Sequence, residues 1–503
     1  MGRTRLFALF ALLTLTGFIT TLDNTVINVA LPTVQRELGL SVTDLEWVAS
    51  SYVLSFGALL LPGGRLTDLF GRRSVLAVGV VVFTAASAAA AVADSGGTLI
   101  AARTVQGVGA ALVIPASLAV VAADLPARRQ SMAVGLWTAA LAVALALGPV
   151  VGGFVTQQWS WGWVFALNIP FGIIALLLMP AVPAKAKGPP GAEPRRGGLD
   201  LPGVLLSVLA LYLLTYGLVR GTEHGFGTAP VPLCLGVSAV AACAFLLAET
   251  RTGRPLLELG LLRDRFLTGG VIAQVLWGIG VNGVFFFTAL YLQQVLGFSP
   301  TKAGLAFLPL AGALLLCTPL AERAARVLGA HVSIATGLGV VAAGLLYVSG
   351  TGAHADYWDL QPGLLMIGAG SALTTPLTVR CLAQVPDART GMATGLVSAA
   401  REVSGVFGVV LVGVVLTRRE RSELRSGTDP SNAFLEGYDL GLRLAACCVL
   451  AGAFVTLTTL RRRGRHRRAR QRWVRQRWVR QRREPTPAGT PPVAGTLTGT
   501  SPR

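Results

Sequence analysis

The sequence predicts an all-α integral membrane protein with 14 transmembrane helices, arranged as two six-helix bundles plus an inserted two-helix hairpin. Three observations predict it. Of the 503 residues, 53% are hydrophobic and only 13% charged, where soluble domains carry about 25% charged residues. The apolar residues gather into long runs, each near the roughly 20 residues that a helix needs to cross a bilayer core. The loops between those runs carry Arg and Lys on alternate sides.

The expected spans are 7–31, 47–66, 75–93, 98–122, 131–156, 163–182, 201–219, 231–249, 267–291, 303–321, 331–350, 360–382, 392–417 and 438–460. The first follows Arg3 and Arg5 and stays apolar to Pro32 without a small-residue cleavage site, so it reads as a true span rather than a signal peptide. The six cysteines (Cys234, Cys243, Cys317, Cys381, Cys447, Cys448) fall inside spans at no metal-ligand spacing. They read as small buried packing residues.

With the N-terminus inside, about 33 of the 43 Lys and Arg lie on the inner side, as the positive-inside rule demands. One loop runs against the rule: Arg418, Arg419, Arg421 and Arg425 fall outside, accompanied by acids from Glu420 to Asp439. An even span count returns the C-terminus to the cytoplasm, so both termini are expected there. The predicted organisation is an N-terminal six-helix bundle at 1–182, a Pro/Gly-rich cytoplasmic linker at 183–200, and the inserted hairpin at 201–249. A second linker at 250–266, a C-terminal bundle at 267–460 and an Arg-rich tail at 461–503 follow. The halves echo each other in PGGRLTDLFGRR (62–73) and PLAERAARVLGAH (319–331), each with a proline, charges and then a glycine. Six plus six suggests a transporter with a central site.

Buried charge marks candidate sites. Asp23 lies deep in the first span, where a carboxylate costs roughly 2.5–3.5 kcal/mol on insertion scales. A carboxyl held between desolvation and a neighbouring cation can take a proton from one side and release it on the other. The structural alternative is a pair with Asn28 or another polar group. Arg103, with Gln106 one turn on, stands in span 4; it either faces a cavity or snorkels to the outer interface. Arg401 and Glu402 are the corresponding charges of span 13, read as a second proton carrier or a mutual balance. In span 5, Pro149 removes a backbone donor, while Gly148, Gly152 and Gly153 allow close helix approach; hinge, seal and ordinary packing are the readings. Asp68 with Gly64, Gly71, Arg72 and Arg73 reads as a gating element at the inner edge, Gly64 and Gly71 permitting tight turns. Asn28, Gln106, Gln274, Trp277, Asn282 and Arg401 are candidates for a substrate cavity.

These motifs together resemble the major facilitator superfamily, and within it the fourteen-span drug–proton antiporter branch, the QacA/EmrB-like group. LDNTVINVALP (22–32) is similar to that branch's first-span signature and carries Asp23. GRLTDLFGRR (64–73) resembles the superfamily loop motif, with Leu69 where a basic residue is common. RTVQGVGAA (103–111) and GPVVGG (148–153) resemble the fourth-span proton-coupling motif and the fifth-span antiport motif. WGWVFALNIPFG (161–172) resembles a further signature, with Gly162 in place of an arginine. GMATGLVSAAREVSGVFG (391–408) resembles the span 13 pattern, with Glu402 where Gln is frequent. The resemblance implies the major facilitator fold, alternating access between spans 1–6 and 9–14, and proton coupling at Asp23 and Arg103. It implies hydrophobic, often cationic drugs, dyes or antibiotics as substrates.

The expected function is a proton-coupled efflux antiporter in the bacterial inner membrane that exports amphipathic drugs or antibiotics. A narrow-substrate metabolite exporter, a nutrient symporter and a non-transporting scaffold are the alternatives. No nucleophile triad, metal cluster, Walker loop or Rossmann fingerprint stands out, so neither an enzyme nor a cofactor is expected. The expected partners are a small amphipathic substrate, protons and membrane lipids. The tail supplies about 14 arginines, and RQRWVRQRWVRQRR (470–483) repeats a five-residue unit. It suits anionic lipid, at roughly 1 kcal/mol per basic residue near the surface; nucleic acid and no selected role are the other readings.

Overall fold

A computed structural model describes residues 3–125, 127–183, 200–252, 255–352, 355–382, 385 and 390–461. Most of the linker at 183–200 and nearly all of the arginine-rich tail lie outside these residues, as do the expectations placed on them.

The described residues are almost entirely helical, and seventeen α-helices are distinguished among them. The first seven are α1 (Arg3–Leu38), α2 (Val42–Phe70), α3 (Arg72–Ala91), α4 (Gly96–Asp124), α5 (Ala127–Gln158), α6 (Gly162–Ala166) and α7 (Asn168–Leu178). A pair follows, α8 (Leu201–His224) and α9 (Val231–Arg251). Then come α10 (Arg265–Leu290), α11 (Pro300–Ala306), α12 (Leu308–Ala324), α13 (Ala330–Val348) and α14 (Tyr357–Leu373). Last are α15 (Pro376–Cys381), α16 (Thr390–Arg425) and α17 (Pro430–Thr459). Starts are fixed by side-chain caps that satisfy the first free amides: Ser41 with Asp44 on α2, Ser95 with Thr98 on α4, Asp356 with Asp359 on α14.

Among the described residues, thirteen segments are long and apolar enough to cross a membrane. The stretch expected as a span at 360–382 is built in two pieces, the 17-residue α14 and the six-residue α15, separated at Thr374–Thr375. Pro376 opens the second piece; proline lacks the amide that would have continued the first.

Packing groups the helices. α1 lies on α5, and α4 on both α2 and α3; α10 lies on α16 and α17, and α13 on α14 and α17. Between these groups, α2 meets α16 and α5 meets α11. The α8–α9 pair touches the rest chiefly through α8, which leans on α2 and on α16. Residues 1–460 form one compact unit.

The internal echo has a conformational counterpart. Gly71, which ends α2, has φ 86° and ψ 139°; Gly329, just before α13, has φ 92° and ψ 141°. Both lie in the positive-φ region that glycine enters without a Cβ penalty. Each follows a helix with an internal proline, Pro62 in α2 and Pro319 in α12.

Two expectations need correction. Gly64 was expected to permit a tight turn, yet it sits inside α2, where an added Cβ would only brush Pro115 at 3.8 Å. Its neighbour Gly63 is the constrained one: a Cβ there would collide with the carbonyl of Ala111 on α4. The helix runs on to Phe70, so the glycine pair serves a helix crossing. The cysteines are not uniformly buried either. Cys381 is, but Cys243 and Cys447 are exposed on helix flanks, because an apolar thiol is as compatible with the lipid-facing side as with the core.

Candidate functional site

Asp23 is 1% exposed in the middle of α1. Every hydrogen-bonding neighbour of its carboxyl is a donor. One oxygen accepts from the Arg103 guanidinium of α4. The other accepts at 2.7 Å from Gln106 Nε2, also on α4, and at 2.7 Å from Asn168 Nδ2, the first residue of α7. Gln106 Nε2 also reaches Ser87 Oγ on α3 at 2.7 Å, and its Oε1 accepts from Arg103 Nη1 at 2.8 Å. Arg103 Nε turns to the carbonyl of Val48 on α2 at 3.3 Å. Three helices, α1, α4 and α7, thus meet at one carboxylate, and α3 and α2 join them through Gln106 and Arg103.

The aromatic surroundings complete the enclosure. The guanidinium carbon lies 4.4 Å from the centre of the Tyr52 ring and 5.6 Å from that of Phe165, distances at which a ring face attracts a cation. The Tyr52 hydroxyl donates to the carbonyl of Thr20 on α1 at 3.1 Å. Arg103 and Gln106 are both 0% exposed. The Arg103 head is fully enclosed, so in this structure it neither snorkels to an interface nor opens onto a cavity. Gln106, expected in a substrate cavity, spends its amide on Asp23 and Ser87. Asn28, offered as a partner for Asp23, turns instead to the carbonyl of Asn24 at 3.4 Å.

A chain of contacts leads from Asp23 to the other half. Thr25 and Val26, the next residues but one and two on α1, are what Gly148 and Gly152 of α5 press against; a Cβ at either glycine would collide with them. Gly153 presses against the backbone of Pro300 on α11, and Gly304 of α11 presses against the carbonyl of Pro149. The two helices therefore interlock glycine to carbonyl in both directions. At the same end of the bundle, Gln293 Nε2 donates to the Val29 carbonyl at 2.9 Å and Gln294 Nε2 to Gln35 Oε1 at 2.6 Å. The Thr301 amide donates to Gln157 Oε1 at 3.2 Å. Both groups of helices are latched together there.

The remaining candidates are placed apart. Arg401 Nη2 bonds Glu402 Oε1 at 2.9 Å on α16, with side chains 56% and 14% exposed. Glu402 and Val403 face Gly57 of α2, so this pair lies on the seam between the groups. Asn282 Nδ2 bonds the carbonyl of Gly278 and faces Gly405. Trp277 Nε1 reaches Ser371 Oγ at 3.4 Å, and Gln274 is 6% exposed. No hydrogen bond joins Asn28, Gln274, Trp277 and Asn282 to one another among the described residues. Arg72 is buried and paired through two nitrogens with Asp124, which ties the start of α3 to the end of α4. Asp68 is exposed and Arg73 half-buried.

Asn168, Ser87, Tyr52 and Asp124 were missed by sequence reasoning. Asn168 had a signal: like Asp23, it is a polar residue interrupting an apolar run. Ser87, Tyr52 and Asp124 had none, since their importance comes from which helices pack together.

Comparison with known proteins agrees with this architecture. A family model described as the Major Facilitator Superfamily matches residues 13–409. The multidrug resistance protein Stp of Mycobacterium tuberculosis is 34% identical over 421 residues, covering 83% of this chain and 76% of Stp. The puromycin resistance protein pur8 of Streptomyces alboniger is 34% identical over 447 residues, covering 86% and 87%. The cephamycin export protein CmcT of Amycolatopsis lactamdurans is 36% identical over 400 residues, covering 78% and 82%. Among solved structures, an inward-facing bacterial homologue of the human lysosomal transporter Spinster superposes with TM-score 0.66 at 15% identity, covering 92% of this chain and 98% of that one. A D-xylose–proton symporter superposes with TM-score 0.61 at 18% identity, covering 90% and 98%. On the match over most of its length and on these relatives, the chain belongs to the Major Facilitator Superfamily.

Proposed function

We propose that this protein is a proton-coupled efflux antiporter of the fourteen-span branch, exporting amphipathic drugs or antibiotics from the cytoplasm. The relatives supply the direction of transport: Stp, pur8 and CmcT are named for drug resistance, puromycin resistance and cephamycin export. The coupling mechanism is read from the chain itself, with α14 and α15 as the two pieces of one span and both termini cytoplasmic.

The observation that carries the mechanism is the Asp23 carboxylate, whose three hydrogen-bonding partners are all donors. An ionised carboxylate only accepts hydrogen bonds, whereas a protonated one also donates. A proton arriving at Asp23 removes the charge that pairs with Arg103 and finds no acceptor among the present partners of the carboxyl, so the ion pair that holds α1 to α4 is lost. The motion passes through Thr25 and Val26 to the α5 glycines, and through Gly153 and Gly304 to the other half. Packed interfaces of this kind have discrete arrangements rather than a continuum. The latched end is the predicted outer end, so the state described here is closed outward. One proton moving through about 100 mV releases about 2.3 kcal/mol.

The experiment is ethidium efflux from vesicles reconstituted with purified protein under an imposed pH gradient, beside Asp23→Asn. We expect gradient-driven efflux in the parent and none in the variant. Undiminished efflux by Asp23→Asn removes Asp23 from the coupling; gradient-driven uptake in place of efflux replaces the antiporter by a symporter.

A further inference from the structure

We propose that the cleft between α2, α4 and α8 is a binding site for one acyl chain of a bilayer lipid, which seats the inserted hairpin on the first group of helices. The site stands whatever the protein transports and however transport is driven.

The cleft holds about 360 Å³ and is lined by Ser55, Ala58 and Leu59 of α2, Thr104 and Val108 of α4, and Val208 and Tyr212 of α8. Its floor is closed where α4 meets α2: a Cβ at Gly107 would collide with the Tyr52 carbonyl and the Ser55 side chain. Its mouth lies on the outside of the bundle, where Val105 of α4 is 49% exposed and Leu205 and Leu209 of α8 are 60% and 45% exposed. α8 leans on α2 and α16 but has no comparable packing against α4. The cleft is thus the place of a missing helix–helix contact. Both of its walls forfeit dispersion energy unless something fills it.

Two observations select the filler. The first is that the hydroxyls of the cleft are already committed. Ser55 donates to the Ser51 carbonyl at 2.9 Å, and Thr104 donates to the Ile100 carbonyl at 2.9 Å. With the serine proton spent there, the Tyr212 hydroxyl donates to Ser55. No hydroxyl proton of these three is left for a polar ligand, and the other four lining residues are aliphatic. An apolar cavity stays dry and takes hydrocarbon. The second observation is depth. Ser55 and Tyr212 stand near the midpoints of α2 and α8. The cleft therefore lies near the centre of a hydrocarbon core about 30 Å thick, roughly 15 Å from either headgroup layer. What reaches it from the surrounding membrane is the distal part of an acyl chain. Seated there, the chain supplies the contact that α8 and α4 do not make with each other.

The test is photolabelling of the purified full chain in nanodiscs doped with a phosphatidylcholine that carries a diazirine near the end of one acyl chain. A second lipid carries the diazirine beside the headgroup, and labelled residues are located by mass spectrometry. Val237 and Val240, exposed at the middle of α9, report ordinary contact with the bilayer at the same depth. We expect the chain-end probe to label Ala58, Leu59, Val108 or Val208 and to half-saturate there at a roughly tenfold lower lipid fraction than at the α9 valines, the mark of a site with its own affinity. The headgroup probe should leave the cleft unlabelled. Val108→Phe and Val208→Phe fill the cleft from opposite walls, so that failure of one to fold leaves the other. Each should lower cleft labelling about tenfold and leave labelling of α9 unchanged. Cleft labelling that rises in step with α9 labelling reduces the site to ordinary bilayer contact and overturns the proposal. So does cleft labelling that persists in the filled variants, and so does labelling displaced by ethidium, which gives the cleft to a transported compound instead.

Discussion

Two acid–base pairs in this protein have similar composition and opposite surroundings. Asp23 and Arg103 come from helices 80 residues apart in sequence and are both fully buried, with every neighbour chosen. Arg401 and Glu402 are sequence neighbours on one helix, with the arginine more than half exposed. The first pair has no water to fall back on and owes its stability to Gln106, Asn168, Val48 and Tyr52. In the second, the arginine can exchange its partner for solvent. A charged pair becomes a device that transmits force between helices only when its alternatives have been removed.

Substitutions can sharpen or break that contrast. The largest effect should come from Arg103→Ala, which leaves Asp23 buried without its cation. Breaking a buried pair costs about 3–5 kcal/mol, seen as a large fall in Tm of the purified protein together with loss of transport. Next, Gly153→Val and Gly304→Val should leave the fold intact but hold α5 and α11 apart. Efflux should fall at least tenfold, and a cysteine placed near Gln157 should become accessible to a membrane-impermeant reagent from outside. Asn168→Leu removes one donor to a charged acceptor, worth about 1.5–3 kcal/mol; it should lower both Tm and efflux less than Arg103→Ala does. Arg401→Ala should cost no more than about 1 kcal/mol, as exposed pairs do. Should Glu402→Gln abolish gradient-driven efflux while Asp23→Asn spares it, the contrast drawn above is inverted and the seam pair carries the proton.

Much of the fold was legible in the sequence because the bilayer constrains it so strongly: a run long enough to span must satisfy its backbone within itself, and it announces itself by composition. Asp23 and Arg103 were legible for the same reason, as charges where charge is costly. Their connection was harder to see. That Gln106 belongs with Asp23 rather than in a cavity depends on how α4 is rotated against α1 and α3. That Asn168 completes the set depends on α7 starting where it does. Gly63 and Gly64 are adjacent and chemically identical, and only the position of Ala111 on another helix decides which of them is constrained. Local pattern marks which residues are unusual; the packing of distant helices decides what each one touches.

The separation of Asp23 from Arg103 also bears on how the protein is made. The acid emerges from the ribosome 80 residues before its cation. At roughly 5–20 residues per second, about 4–16 s separate the emergence of Asp23 from that of Arg103. Through that interval the carboxyl must be protonated, or sheltered by water or the insertion machinery. The pair is thus a late event of membrane assembly, and the first helix is held at its final depth only once the fourth has arrived.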